Sequence, residues 1–199
     1  WEKKIIGFYG VDNPPAESLD YVSDMLHIMG SFIVSSIRRR NLLRQLERMS
    51  YRDQLTQFGN RYAVDWFVEH EWNGEQIGVV YCDITGLKKV NDEQGHEAGD
   101  RLIIRACECL AGVFKGYGLY RIGGDEFLVL CLGIEEKDLR EHVEKLRMDM
   151  KEHQVTMAVG MIWKEHGPKD IDLLLNESER LMYEDKDRYY KEHGLKRRR

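Results

Sequence analysis

Three acidic residues, Asp83, Asp125 and Glu126, stand where a fold could gather them and where a purely structural role does not require them. Asp125 and Glu126 follow Gly123-Gly124, between the apolar runs Leu119-Tyr120 and Phe127-Leu128-Val129-Leu130. That pattern predicts a tight two-residue β-hairpin, with glycines free to take positive φ and both acids at the tip. Asp83 ends the nearly continuous apolar run Ile77 to Cys82, the signature of a strand buried on both faces. Carboxylates brought together from a strand end and a neighbouring turn repel one another unless a cation sits among them. An all-oxygen donor set suits Mg²⁺ or Mn²⁺, not zinc. So sparse a set keeps positions on the metal for water or phosphate oxygens, which points to a metal-bound triphosphate as substrate. For Gly-Gly-Asp-Glu taken alone, solvated acids on a hairpin tip are the plain alternative.

The residues after Asp83 supply candidate partners for such a substrate. Backbone amides around Thr85 to Lys88 could cradle phosphate oxygens, with Lys88 as a point charge. Asn91 and Asp100 could read a base. An ionised Asp only accepts, so it pairs with the adjacent N–H donors of a guanine edge, whereas adenine would face it with an acceptor at a cost of roughly 1–3 kcal/mol. GTP is therefore favoured over ATP. His96 has two readings, a loop-bracing hydrogen bond or a nucleotide contact.

The remaining sequence describes what must hold these residues in place. With 199 residues and 42% hydrophobic content, the chain can bury a core for one domain plus an extra element. A net charge of −5 argues against a nucleic-acid-coating surface, and the terminal Lys196-Arg197-Arg198-Arg199 reads as a solvated tail. No apolar stretch is long enough to span or insert into a membrane, and the start at Trp1 lacks a signal-peptide layout, so the expected location is cytoplasmic. Cys82, Cys107, Cys109 and Cys131 lack metal-site spacing and read as reduced packing residues.

In chain order, Lys4 to Val11 reads as the last strand of an upstream domain, giving residues 1–15 as its remnant. Asn13 and Pro14 are suited to open a helix, and Val22, Leu26, Met29, Ile33 and Ile37 follow at helical spacing. Residues 16–50 are thus expected to form a long linker helix, and its heptad-like seam predicts a parallel two-helix dimer. A polar joint follows, and Asn60 is suited to cap a helix carrying Ala63, Phe67 and Val68. A strand at Ile77 to Cys82, a helix over Ala98 to Phe114, the hairpin, a helix over Glu136 to Glu152, a strand at Val155 to Trp163 and a helix over Ile171 to Tyr190 complete the chain. This order predicts an α+β fold, a split βαβ sheet of ferredoxin-like, nucleotidyl cyclase palm type, carrying helices and preceded by the long helix.

Gly123-Gly124-Asp125-Glu126-Phe127 is the signature of the GGDEF diguanylate cyclases, and the region from Asp53 to about Lys186 resembles that domain throughout. Asp53-Gln54-Leu55-Thr56 with Asn60-Arg61 looks like its opening motif, Asp83 to Asp100 its metal and guanine segment, and Tyr183-Glu184-Asp185-Lys186 its last helix. The resemblance assigns residues 51–199 to this domain and implies condensation of two GTP into cyclic di-GMP by a Mg²⁺- or Mn²⁺-dependent homodimer. It makes Asp83, the Ile84 carbonyl and Asp125 metal ligands. Asn91, His96 and Asp100 become substrate contacts, and Lys88 and Lys186 phosphate contacts. Asp125 becomes the proton acceptor, assisted by Glu126. The N-terminal Gly-Phe-Tyr-Gly-Val-Asp-Asn-Pro stretch is similar to the end of a GAF-type sensor domain. Rival classes are a non-catalytic GTP-binding module of the same fold and a purely structural dimerisation element.

Three departures from the family pattern bear on function. Thr85 and Leu87 stand where the family often has an acid and an aromatic, and Tyr190 where an Arg is common, with Arg188 or Lys191 as candidate substitutes. The usual product-inhibition motif, Arg-x-x-Asp, is replaced by Phe114-Lys115-Gly116-Tyr117. Little feedback inhibition through that site is therefore expected. A cyclic di-GMP titration of GTP turnover checks this, and strong non-competitive inhibition would contradict it.

Overall fold

The computed structural model describes residues 10, 12, 15–49, 51–168 and 171–194. Apart from Gly10, the expected strand at Lys4 to Val11 lies outside them, as do the Asn13-Pro14 helix start and the basic tail. The chain divides into two compact units, Trp1–Met49 and Ser50–Arg199. In the first, a 3₁₀ turn (Ala16–Ser18) leads into α1 (Leu19–Met49), a helix of 31 residues. It is continuous through Arg38-Arg39-Arg40, where the apolar phase breaks. Tyr21, Ile28, Phe32, Leu42, Leu43 and Leu46 are exposed along it.

The second unit contains α2 (Arg61–His70), β1 (Ile77–Ile84), α3 (Leu87–Gln94), α4 (His96–Val113), β2 (Gly118–Arg121), β3 (Glu126–Leu132), α5 (Glu136–Glu152), β4 (Met157–Lys164) and α6 (Asp172–Glu192). The strands form an antiparallel sheet in the order β2-β3-β1-β4, the α+β architecture expected. Strand periodicity divides the core into two layers. Val80, Cys82 and Ile84 of β1, with Phe127, Val129 and Cys131 of β3, pack against α4 and α5. Ile77, Val79 and Tyr81, with Leu128 and Leu130, pack on the other face against α2 and α6. Every residue of β1 is buried, which is why its sequence is apolar without alternation. Among the described residues, no helix is long and apolar enough to cross a membrane.

Two features differ from the sequence expectation. The segment after Asp83 is a helix, α3, entered through Gly86 at φ 85°. Its apolar face is only Leu87, buried, and Val90, partly buried, too short a pattern to reveal a helix. The hairpin tip also is not a two-residue turn with positive-φ glycines, for neither Gly123 nor Gly124 takes positive φ. Instead the Ile122 amide donates to the Glu126 carbonyl at 3.0 Å, leaving Gly123, Gly124 and Asp125 at the tip. A Cβ on Gly123 would lie 2.5 Å from Glu126 Oε2, so the Glu126 carboxylate would have to shift.

The docking of α6 on β4 depends on another close approach. A Cβ on Gly160 would lie 2.1 Å from the Ser178 carbonyl oxygen and 2.3 Å from the Met182 nitrogen, and backbone cannot rotate aside. Gly160→Ala should destabilise the domain by about 3 kcal/mol, the upper end for overpacking. A lower urea midpoint at unchanged m-value is the expected readout; a variant as stable as its parent would contradict this packing.

Candidate active site

Asp83 is the seventh residue of β1, and period-two alternation puts it on the face of Tyr81, toward α6. Glu126 opens β3 on the same face as Leu128. The register sets Asp83 directly opposite Glu126. The Ile84 amide donates to the Asp125 carbonyl at 2.9 Å, tying the strand end to the hairpin tip through backbone alone. From α6, Lys186 Nζ donates to Asp83 Oδ1 at 2.6 Å. This pair is largely withdrawn from water, with 14% of the Lys186 side chain and 6% of that of Asp83 exposed.

Burial, then the charges of Asp125, Asp83 and Glu179, raise the pKa of Glu126, and Lys186 offsets part of this. The acids therefore sense one another, but their oxygens do not all lie within 4.8 Å of each other as a three-ligand cluster. The donor chemistry nonetheless fits a divalent cation of the Mg²⁺ or Mn²⁺ kind, since every available ligand here is oxygen. Glu126 also borders a cavity of about 280 Å³ lined by Arg61, Tyr81, Asn176 and Glu179 among others.

The remaining sequence candidates lie along α3 and α4. Lys88 is exposed in the first turn of α3, and His96 and Asp100 are exposed one turn apart at the start of α4. Asn91 is half-buried, with its Oδ1 pressed against Gly99, where a Cβ would lie 1.9 Å away. Asn91 Oδ1 and Thr85 Oγ1 are buried without a hydrogen-bond partner. Arg188, a candidate for the missing Arg, instead approaches Asp185 Oδ1 at 3.7 Å.

Two positioning contacts, those of Arg121 and Asp185, escaped the sequence reading. Arg121 donates to Asp53 Oδ1 at 3.1 Å and to the Gly124 carbonyl at 2.7 Å, bracing the tip against the joint before α2. Asp185 accepts from the Val159 amide at 2.9 Å and from Arg147 at 3.3 Å, fixing α6 to the edge strand one residue before Lys186. No local signal marks the Arg121–Asp53 and Asp185–Val159 contacts, because their partners are distant in sequence. Asn60 does cap α2 as expected, its Oδ1 accepting from the Ala63 amide at 3.1 Å.

The family description "Diguanylate cyclase, GGDEF domain" matches residues 50–191. Bifunctional diguanylate cyclase/cyclic di-GMP phosphodiesterase MucR of Pseudomonas aeruginosa is 29% identical over 172 residues, 79% of this chain and 25% of that protein. Diguanylate cyclase DgcP of Escherichia coli is 26% identical over 184 residues, 81% of this chain and 54% of that protein. The chain thus spans about a quarter to about a half of these relatives' length. In fold it is similar to the coiled coil and GGDEF domain of DgcB from Caulobacter crescentus, a structure in complex with c-di-GMP. The TM-score is 0.62 at 20% identity, covering 86% of this chain and 96% of that one.

The Arg121 brace has a pH signature. Burial raises the Asp53 pKa, but hydrogen bonds from Thr56 and Arg121 outweigh it and leave the value below 3.8. Its contribution should be complete above that value and vanish as pH falls through the lowered one. Asp53→Asn should cost about 1 kcal/mol near pH 7, and the gap to the parent in urea denaturation should narrow as pH falls below about 4. An equal gap at pH 3 and pH 7 would contradict the assignment.

Proposed function

From the premise that this chain belongs to the diguanylate cyclase GGDEF-domain family, we propose that it condenses two GTP into cyclic di-GMP with release of two pyrophosphates. The observation that carries the reading is the register of Asp83 against Glu126, with the Ile84 amide holding the Asp125 carbonyl beside them. Asp83, the Ile84 carbonyl and Asp125 would hold Mg²⁺ or Mn²⁺, which when bound supplies charge stabilisation at the phosphates. Asn91 and Asp100 read the guanine edge, and His96 contacts the same nucleotide. Lys88 lies at the phosphates, and Lys186 leaves Asp83 for them on loading. Asp125 takes the proton of the attacking 3′-hydroxyl, assisted by Glu126, whose proton affinity is already raised.

Each domain holds one GTP, so two must face each other for each 3′-hydroxyl to reach the other nucleotide's α-phosphorus in line. The exposed apolar residues of α1 support pairing through a parallel two-helix dimer. We take residues 1–15 as the remnant of an upstream sensor, 16–50 as the coupling helix and 51–199 as a cytoplasmic output domain.

Incubation with GTP and Mg²⁺ should yield cyclic di-GMP, with specific activity rising with protein concentration while dimerisation is incomplete. Asp125→Ala should lose at least about 100-fold in turnover. GTP binding without turnover in demonstrably dimeric protein would overturn this in favour of a non-catalytic GTP-binding module, and absence of GTP binding would favour a structural role.

A further inference from the structure

Away from these acids, α4 and α5 bring together three side chains of different donor type. Cys109 lies on α4, while Asp149 and His153 lie one turn apart at the C-terminal end of α5. One ligand atom from each, sulfur, oxygen and nitrogen, lies within 4.8 Å of the other two. Asp149 Oδ2 and His153 Nδ1 are 3.6 Å apart. Ligand atoms around a tetrahedral zinc ion are separated by about 3.5 Å, so closing the set takes shifts of about an ångström. His153 Nδ1 also lies 3.0 Å from the Asp149 backbone carbonyl, so a metal bound at this nitrogen would take the place of that hydrogen bond. Cys109 is fully buried, but 38% of the His153 side chain and 28% of that of Asp149 are exposed, so an ion has a route in.

We propose that Cys109, Asp149 and His153 form a binding site for a transition-metal ion of the Zn²⁺ class, one per chain, with water in the fourth position. A mixed sulfur, nitrogen and oxygen set selects such an ion over Mg²⁺, and so separates this site chemically from the oxygen-only set at Asp83. Binding replaces the thiol proton: the Cys109 S–H bond breaks, a sulfur–metal bond forms and a proton is released to solvent. Burial, with the nearby Asp149, pushes this thiol up to about 12, so losing that proton weakens binding relative to a preformed thiolate site. Glu108 acts electrostatically on both Cys109 and His153 and adds attraction for a cation. The occupied site would cross-link the C-terminal ends of α4 and α5.

The test is titration of the metal-free 199-residue protein with Co²⁺ in the presence of excess Mg²⁺. The expected result is one Co²⁺ per chain with thiolate-to-metal absorption and tetrahedral visible bands. Cys109→Ser should abolish the thiolate absorption while Cys107→Ser retains it. His153→Gln, at a partly exposed position where misfolding is a lesser risk, should weaken binding by about tenfold or more. Zn²⁺ should displace Co²⁺ and raise the melting temperature of the parent but not of His153→Gln. Absence of a thiolate band, its persistence in Cys109→Ser, or unchanged affinity in His153→Gln would each overturn the proposal. None of these readouts depends on GTP, so a failed cyclase assay leaves the test intact.

Discussion

Asp83 and Glu126 face each other across β1 and β3 on one side of the sheet, and burial strengthens the repulsion between two carboxylates so placed. Lys186 is the protein's own counter-charge, donating to Asp83 from α6. An unbalanced charge in that position would be strongly destabilising, so the arrangement of the acids and the docking of α6 are one constraint. The glycine at 160 permits the close approach of helix and sheet, and Asp185 anchors the helix to the Val159 amide. On the other side of the acids, Arg121 bridges Asp53 and the Gly124 carbonyl, so the tip carrying Asp125 is braced by a residue before α2.

The same constraint gives the chemistry its polarity. The Lys186 ammonium pairs with Asp83, and the unpartnered oxygens of Thr85 and Asn91 lie on the segment leading away from Asp83. The departures from the family pattern then differ in weight. Thr85 retains a polar group at its position. At Phe114 and Tyr117 the side chains are instead committed to packing: Phe114 is fully buried, and both rings lie against His142, at 5.6 and 6.0 Å.

The parts legible in the sequence were those written in local patterns. The unbroken apolar run of β1, the amphipathic period of α5 and the Asn60 cap each state their own environment, and the order of elements gave the sheet. Helix α3 was not legible because only Leu87 and Val90 of its eight residues pack toward the core. The Gly-Gly pair misled because glycine suggested positive φ, which neither Gly123 nor Gly124 takes. The Lys186–Asp83 pair spans 103 positions, and Arg121 and Asp53 are 68 apart, so neither interaction has a sequence spacing to read. Cys109 and the Asp149–His153 pair are likewise joined only by the packing of α4 on α5.

The central claim is that Asp83 changes partners, from the Lys186 ammonium to a divalent cation, when the pocket loads. Anomalous diffraction from crystals grown with Mn²⁺ and a non-hydrolysable GTP analogue tests it most directly. The account predicts manganese bound to the Asp83 and Asp125 carboxylates, with Lys186 Nζ withdrawn from Asp83 and directed at phosphate. Nucleotide bound with the Lys186–Asp83 contact intact and no manganese at these acids would contradict it.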